Sequence, residues 1–327
     1  MIKLSVIIPT RNRALTLGRA LVSFAGQTFP KDEFEVIVVD NGSTDRTAEV
    51  CAKTASLFTH FTRLYDEHPG LHVGRNLGME CAQAEILVYG DDDIEASPEW
   101  LKSIYQAFAD PAVVLAGGKN LPVFEETPPE WIERLWSPNA FGERVCGPLS
   151  ILDLGDNPRR ISPYKVYGCN FSILKSVLLA AGGFHPDGMP KELIRFRGDG
   201  ETHVSRFIDN QGLAAFYHPG ASVGHLVPRE RLTVEYFCQR SFNQGISNSF
   251  AEFREKKVTG RGNHGVLKFL RGLITWVRLR NAAYPLARMA KATRRGYSFH
   301  RREYRRDPAL REWVHRQMYL GPQGMHP

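Results

Sequence analysis

Three consecutive aspartates, Asp91-Asp92-Asp93, stand directly behind the apolar run Ile86-Leu87-Val88-Tyr89 and its Gly90. Adjacent carboxylates repel one another, and a bound cation relieves the repulsion. Carboxylate and diphosphate oxygens are both hard ligands, so the pattern suits Mg²⁺ or Mn²⁺ acting on a phosphorylated substrate. On an extended strand end Asp91 and Asp93 share one side and Asp92 takes the other. The alternative is a solvated acidic turn. Position weighs against it, because two other apolar runs end in polar clusters: Pro9-Thr10-Arg11-Asn12 after Leu4–Ile8, and Asp40-Asn41-Gly42 after Phe34–Val39.

The elements that must position these clusters alternate. Leu4–Ile8, Phe34–Val39 and Ile86–Tyr89 read as buried strands, with a weaker strand near Phe61–Leu64. Between them, Leu15–Phe24 and Asn76–Ala84 read as helices, Ser43 or Thr44 as a cap for another, and Ser97-Pro98-Glu99 as a helix start. Strands alternating with helices imply an α/β fold with parallel pairing, in which ligands sit outside the carboxyl ends of the strands. Residues 111–250 are less regular and rich in Gly and Pro; they complete the same domain as mixed strands, loops and helices. From 251 the chain reads as a helical, Arg-rich extension.

The motifs resemble a family 2 glycosyltransferase. The matching segments are SVIIPTRNR at 5–13, VIVVDNGSTD at 36–45, GRNLGM at 74–79 and ILVYGDDDIEASPEWL at 86–101, in the family's order and spacing. The resemblance implies a GT-A fold, a Rossmann-like nucleotide-diphospho-sugar transferase sandwich with a mostly parallel central sheet. It divides residues 1–250 into a nucleotide-binding half (1–110) and an acceptor-binding half (111–250). It implies that Pro9, Thr10, Arg11 and Asp40 contact the nucleoside and that Arg75 and Asn76 lie beside the nucleotide. The DXD pair becomes Asp91 and Asp93: the first serves ribose or metal, the second holds the metal on the diphosphate, and Asp92 completes the donor side.

The later half is also similar to the family. VYGCNFSILKSVLLAAGGFHP at 166–186 looks like the acceptor-side segment, with Asn170 in its strand. In RGDGETHVSRF at 197–207 the family's usual Glu-Asp pair is broken by Gly200, so the catalytic base is Asp199 or Glu201, and both also read as the start of a helix. HLVPRERLTVEYFCQRSFNQG at 225–245 implies His225 as a non-carboxylate metal ligand and Arg231 and Arg240 as phosphate or acceptor contacts. The reaction implied is transfer of a sugar from a nucleoside diphosphate, UDP by default, to a glycan, polysaccharide or lipid-linked acceptor. Inversion follows from one base opposite the leaving group. A catalytically inactive nucleotide-sugar-binding protein of the same fold is the alternative, although it has no need of these acids. Trp100, Trp131 and Trp136 either stack on sugars or pack in the core.

Bulk properties exclude several other classes. With 43% hydrophobic and 24% charged residues the chain buries a core. Its five cysteines form no CxxC pair, which argues against zinc and redox motifs and for a reducing, cytoplasmic setting. No GxGxxG follows the first strand, which excludes a dinucleotide oxidoreductase. The opening apolar run is too short for a secretion signal, and no stretch reaches the ~18 apolar residues that span a bilayer. The net charge of +7 is uneven: residues 251–327 hold 18 Lys and Arg against 5 acids, leaving −6 for residues 1–250. Such a tail seeks an acidic partner or a membrane surface, here the inner face; no nucleic-acid module accompanies it. Val266, Leu270, Leu273 and Val277 share a helical face that either lies in a membrane interface or covers the catalytic core.

Overall fold

A computed structural model describes residues 1–259 and 284–321 of the chain. The apolar runs pair as expected. β1 (Leu4–Thr10) lies between β2 (Phe34–Asp40) and β4 (Ile86–Gly90), and β3 (Phe61–Tyr65) flanks β2, all parallel. Every residue of β1 and β2 is buried, because helices cover both faces of the sheet. On one side α1 (Ala14–Ala25) places Leu17, Leu21 and Phe24 against Trp100, whose ring stacks on Phe24 at 5.2 Å. On the other side lies α3 (Leu71–Cys81).

The second half extends this sheet to eight strands. β11 (Asn170–Leu174) enters antiparallel between β4 and β6 (Val113–Gly117), followed by β12 (Ala214–Tyr217) and β10 (Arg159–Ile161). A second sheet of five strands joins β5 (Ile94–Ala96), β13 (Val223–Val227), β7 (Asn120–Phe124), β9 (Ile151–Asp153) and β8 (Arg144–Cys146). Its β13–β5 register sets His225 opposite Ile94, and the Leu226 amide donates to the Asp93 carbonyl. The two sheets thus meet at the aspartates.

Several local expectations shift. α3 begins at Leu71 rather than Asn76, because it is buried nearly all round and shows no amphipathic period at its start. α2 (Thr47–Thr54) begins after both expected caps; Asp45 accepts from the Thr47 amide instead. α4 (Trp100–Ala107) starts beyond Ser97, whose hydroxyl donates to the Gly220 carbonyl. The three aspartates do not prolong β4 but form a turn into β5, and it is Asp92 and Asp93 that share a partner, Arg13, while Asp91 turns to Arg75, rather than Asp91 and Asp93 facing one way.

The remaining helices close the molecule. α5 (Glu130–Leu135) and α6 (Lys175–Ala180) are short, and α7 (Glu201–Asn210) follows a positive-φ glycine. α8 (Val234–Thr259) runs unbroken across residue 250 and lies beside α9 (Tyr284–Arg306) in the same direction: Arg288 reaches Glu235, His300 reaches Ser249 and Tyr304 stacks on Phe253. α10 (Pro308–His315), capped by Asp307, brings Leu310, Trp313 and Val314 into one cluster with Val73, Phe196 and Phe250. Residues 266–278, read above as an amphipathic helix, lie outside the described residues. Among the described residues no helix is long and apolar enough to cross a membrane.

The α8–α9 contact depends on two glycines. A Cβ on Gly296 would stand 1.9 Å from the Phe242 carbonyl oxygen, and one on Gly245 2.1 Å from that of Thr293. Backbone cannot yield as a flexible side chain does, so a methyl group there must push the helices apart. Although alanine is the better helix former, Gly296→Ala is expected to destabilise the fold by about 1–3 kcal/mol, read as a lower midpoint in urea unfolding.

Candidate active site

The carboxyl ends of β1, β2 and β4 open on a cleft of about 490 Å³. Pro9, Thr10, Arg11 and Asn41 line the β1–β2 end, Asp91, Asp92 and Asp93 the floor, and Glu201, His225, Arg231 and Arg240 the walls from the second half. Such a volume accommodates a nucleotide-sized ligand.

Arg75 is the centre of the floor. Its side chain has no solvent exposure, and it projects from α3 beneath the cleft. Nη2 donates to Asp91 Oδ1 at 2.8 Å and to the Gly168 carbonyl at 2.8 Å, while Nη1 donates to Glu201 Oε1 at 2.5 Å. Burial works against its charge, but Asp91 and Glu201 outweigh burial and keep the guanidinium protonated. Glu201 is the first residue of α7, just after Gly200 with φ 52°, and its carboxylate faces the cleft a quarter exposed. Burial would raise its pKa, yet the groups facing it, the Arg75 guanidinium among them, hold it well below the usual carboxylate range.

The other two aspartates share a different cation. Arg13 Nη1 pairs with Asp92 Oδ1 and Nη2 with Asp93 Oδ2, both at 2.9 Å. Thr10 donates to Asp92 Oδ2 at 2.7 Å. Burial dominates at Asp92 and pushes its pKa up to about 7. At Asp93 burial pushes the same way, yet His225, Arg13 and Arg231 overcome it and lower the pKa. Arg231 donates to Asp93 Oδ2 at 2.9 Å, whereas Asp93 Oδ1 is buried with no hydrogen-bond partner. His225 Nε2 stands 3.5 Å from that oxygen.

Four expected site residues do not line the cleft. Asp199 is buried behind it: Oδ1 meets His185 Nδ1 at 2.6 Å and Oδ2 accepts from Arg206 at 3.1 Å. Burial drives the His185 pKa down to about 3, so its ring stays neutral and donates to the Asp199 carboxylate. Asn76 donates to the carbonyls of Phe184 and Tyr319 and accepts from the Phe184 amide, fixing the Gly-Gly-Phe turn to α3. Asn170 accepts from Trp100 Nε1 and donates to the Ala221 carbonyl, tying β11 to the loop before β13. Asp40 is fully buried, accepting from the Ser43 amide and from Arg63, and so shapes the β2 turn beneath Asn41. Asn76, Asn170 and Asp40 are thus spent on backbone groups that turns leave unpaired, whereas Asp199 pairs with side chains.

Sequence reading passed over Arg13, His72 and the Asp187–Arg197 pair, of which Arg13, Asp187 and Arg197 line the cleft. Arg13 stood within the quoted PTRNR segment, so a signal existed. Nothing local marks His72, which faces Arg75 and Glu201 only because α7 folds back over α3.

The sequence pattern of Glycosyl transferase family 2 matches residues 5–170. The chain belongs to that family and has the GT-A fold. Among relatives, glycosyltransferase AglE of Haloferax volcanii is 36% identical over 115 residues, 35% of this chain and 38% of that protein. The chain therefore spans well under two thirds of that relative's length. Glucosyl-dolichyl phosphate glucuronosyltransferase of the same organism is 23% identical over 256 residues, covering 75% of this chain and 76% of that one. Among solved structures, mannosyltransferase PcManGT from Pyrobaculum calidifontis, in complex with GDP-Man and Mn²⁺, superposes with a TM-score of 0.55 at 19% identity, over 95% of this chain and 83% of that one.

Removing the buried cation should expose how much it holds together. Arg75→Leu strands two carboxylates on opposite walls, and a loss of roughly 3 kcal/mol is expected in chemical denaturation. A variant as stable as the parent means that Asp91 and Glu201 do not depend on Arg75.

Proposed function

We propose that this glycosyltransferase takes its sugar from a nucleoside diphosphate, a UDP-sugar by default, and passes it with inversion to a hydroxyl of a glycan, polysaccharide or lipid-linked acceptor. Asp93 Oδ1 carries the reading. A buried carboxylate oxygen without a donor, beside an imidazole nitrogen at 3.5 Å, is a two-donor set suited to Mg²⁺ or Mn²⁺. Asp93 and His225 would hold such a cation from the protein side, with phosphate oxygens and water supplying its other ligands. The Mn²⁺ and GDP-Man of the PcManGT complex support a nucleotide-sugar donor with a divalent ion. The dolichyl phosphate in the glucuronosyltransferase's name supports a lipid-linked acceptor.

The cation, when bound, neutralises charge on the departing diphosphate. Pro9, Thr10, Arg11 and Asn41 receive the nucleoside, with Asp40 setting the turn beneath them. Asp91 faces the ribose or the metal. Arg231 and Arg240 hold phosphate or acceptor oxygens, and Asp92 keeps Arg13 in place. Glu201 is the base, since it reaches the cleft and Asp199 does not. It takes the acceptor's proton; the acceptor oxygen bonds to the anomeric carbon, and the bond to the diphosphate breaks with its electron pair left on phosphate. Residues 1–250 form the catalytic part, with nucleotide and acceptor halves at 1–110 and 111–250. Residues 251–327 are a basic extension, and the exposed Lys291, Arg294, Arg295, Arg302, Arg305 and Arg306 of α9 suit an anionic membrane face on the cytoplasmic side.

Asp93→Ala should abolish the gain in donor affinity that Mn²⁺ confers in isothermal titration; a variant that binds UDP-sugar and Mn²⁺ like the parent ends the metal assignment. Glu201→Gln should lower kcat by about 10²–10⁴ with donor affinity intact, whereas Asp199→Asn should lower the melting temperature more than turnover. Full turnover in Glu201→Gln would place the base elsewhere.

A further inference from the structure

Behind Glu201 stands a histidine that the proposed reaction does not use. His72 has no solvent exposure and sits on α3 one turn before Arg75. Its ring packs on Phe184 at 5.0 Å. Nδ1 lies 2.6 Å from the His185 carbonyl oxygen. A carbonyl only accepts, so Nδ1 bears the hydrogen. Nε2 then presents its lone pair to Arg75 Nη1 at 3.1 Å, with Glu201 Oε1 farther off at 3.5 Å. Arg75 Nη1 has two hydrogens, one for Nε2 and one for Glu201 Oε1.

We infer that His72 is a positioning residue for the transfer: its neutral ring holds Arg75 Nη1 through Nε2 and so aims the carboxylate of Glu201. This rests on Glu201 being the base. The charged groups around the ring are few. Arg75 shares its helix, Glu201 faces it from α7, and the Asp187–Arg197 pair lies beside Gly200, whose Cβ would meet both His72 Cε1 and Asp187 Oδ2. Asp199, His185 and His203 stand behind the His185 backbone. A proton on Nε2 replaces the acceptor facing Arg75 with a donor. Two donors 3.1 Å apart repel, Arg75 loses its seat, and Glu201 gains a hydrogen bond that weakens it as a base. The working arrangement needs the lone pair on Nε2.

Two variants separate this from simple packing. His72→Asn reaches the His185 carbonyl but not Arg75, and kcat should fall by about 10- to 100-fold with donor KM unchanged. His72→Gln places an amide oxygen where Nε2 was and does not titrate. It should keep most of kcat while the acid limb of the kcat–pH profile moves to lower pH. The inference is overturned if the acid limb of His72→Gln coincides with that of the parent, or if His72→Asn folds and turns over normally. If His72→Asn does not fold, the pH profile of His72→Gln decides alone. Glu201→Gln, run beside them, keeps the two readings apart: normal turnover there removes the base, whereas a dead Glu201→Gln with an unmoved His72→Gln profile removes only the role of His72.

Discussion

A guanidinium taken wholly out of water costs several kcal/mol unless every donor is answered by charge or a good acceptor. Both Nη groups of Arg75 meet that condition, its buried Nε excepted, with parts from across the chain: Asp91 after β4, Glu201 at the start of α7, the Gly168 carbonyl before β11 and the ring of His72. None of these is near another in sequence except His72. The cation is therefore a constraint on tertiary structure: the parts of the chain before and after residue 110 must close on it together or leave it stranded. It also sets the spacing between the Asp91 carboxylate on the floor of the cleft and the Glu201 carboxylate on its wall.

A second layer of charge repeats the principle on the donor side. Arg13 and Arg231 both converge on Asp93 Oδ2, which leaves Oδ1 and the imidazole of His225 facing the cleft. A diphosphate is anionic, and in the proposed reaction the guanidinium groups that occupy one oxygen of Asp93 would also face its phosphates. The cleft thus has its arginines already in place around Asp93, and in the proposed reaction the oxygen they leave unpaired is the one that would hold a divalent ion. Preorganisation of this kind avoids moving charge during the reaction itself.

Much of the first hundred residues was legible in advance. β1, β2 and β4 are continuous apolar runs that end in polar clusters, and burial on both faces leaves such runs no alternative structure. What escaped reading was whatever depended on one element folding onto another. α3 showed no period because it is buried nearly all round. Asp199 and Glu201 are two residues apart and looked equivalent, yet Gly200 turns the chain between them, sending one acid to His185 and the other to the cleft. Asn76 and Asn170 matched site motifs by position but act as clamps on unpaired backbone. Side-chain identity is local information, whereas its direction belongs to the assembled fold.

The clamp formed by Asn76 has a consequence for the order in which the protein matures. One of its amide hydrogen bonds ends on the carbonyl of Tyr319, 243 residues farther along the chain. While the polypeptide is still being synthesised, the ribosome has yet to deliver that partner, and Val73 waits likewise for Trp313 and Val314. The helix beneath the cleft is thus seated last. A nascent chain carries the apolar runs of β1, β2 and β4 well before it carries every contact that seats the floor of the cleft.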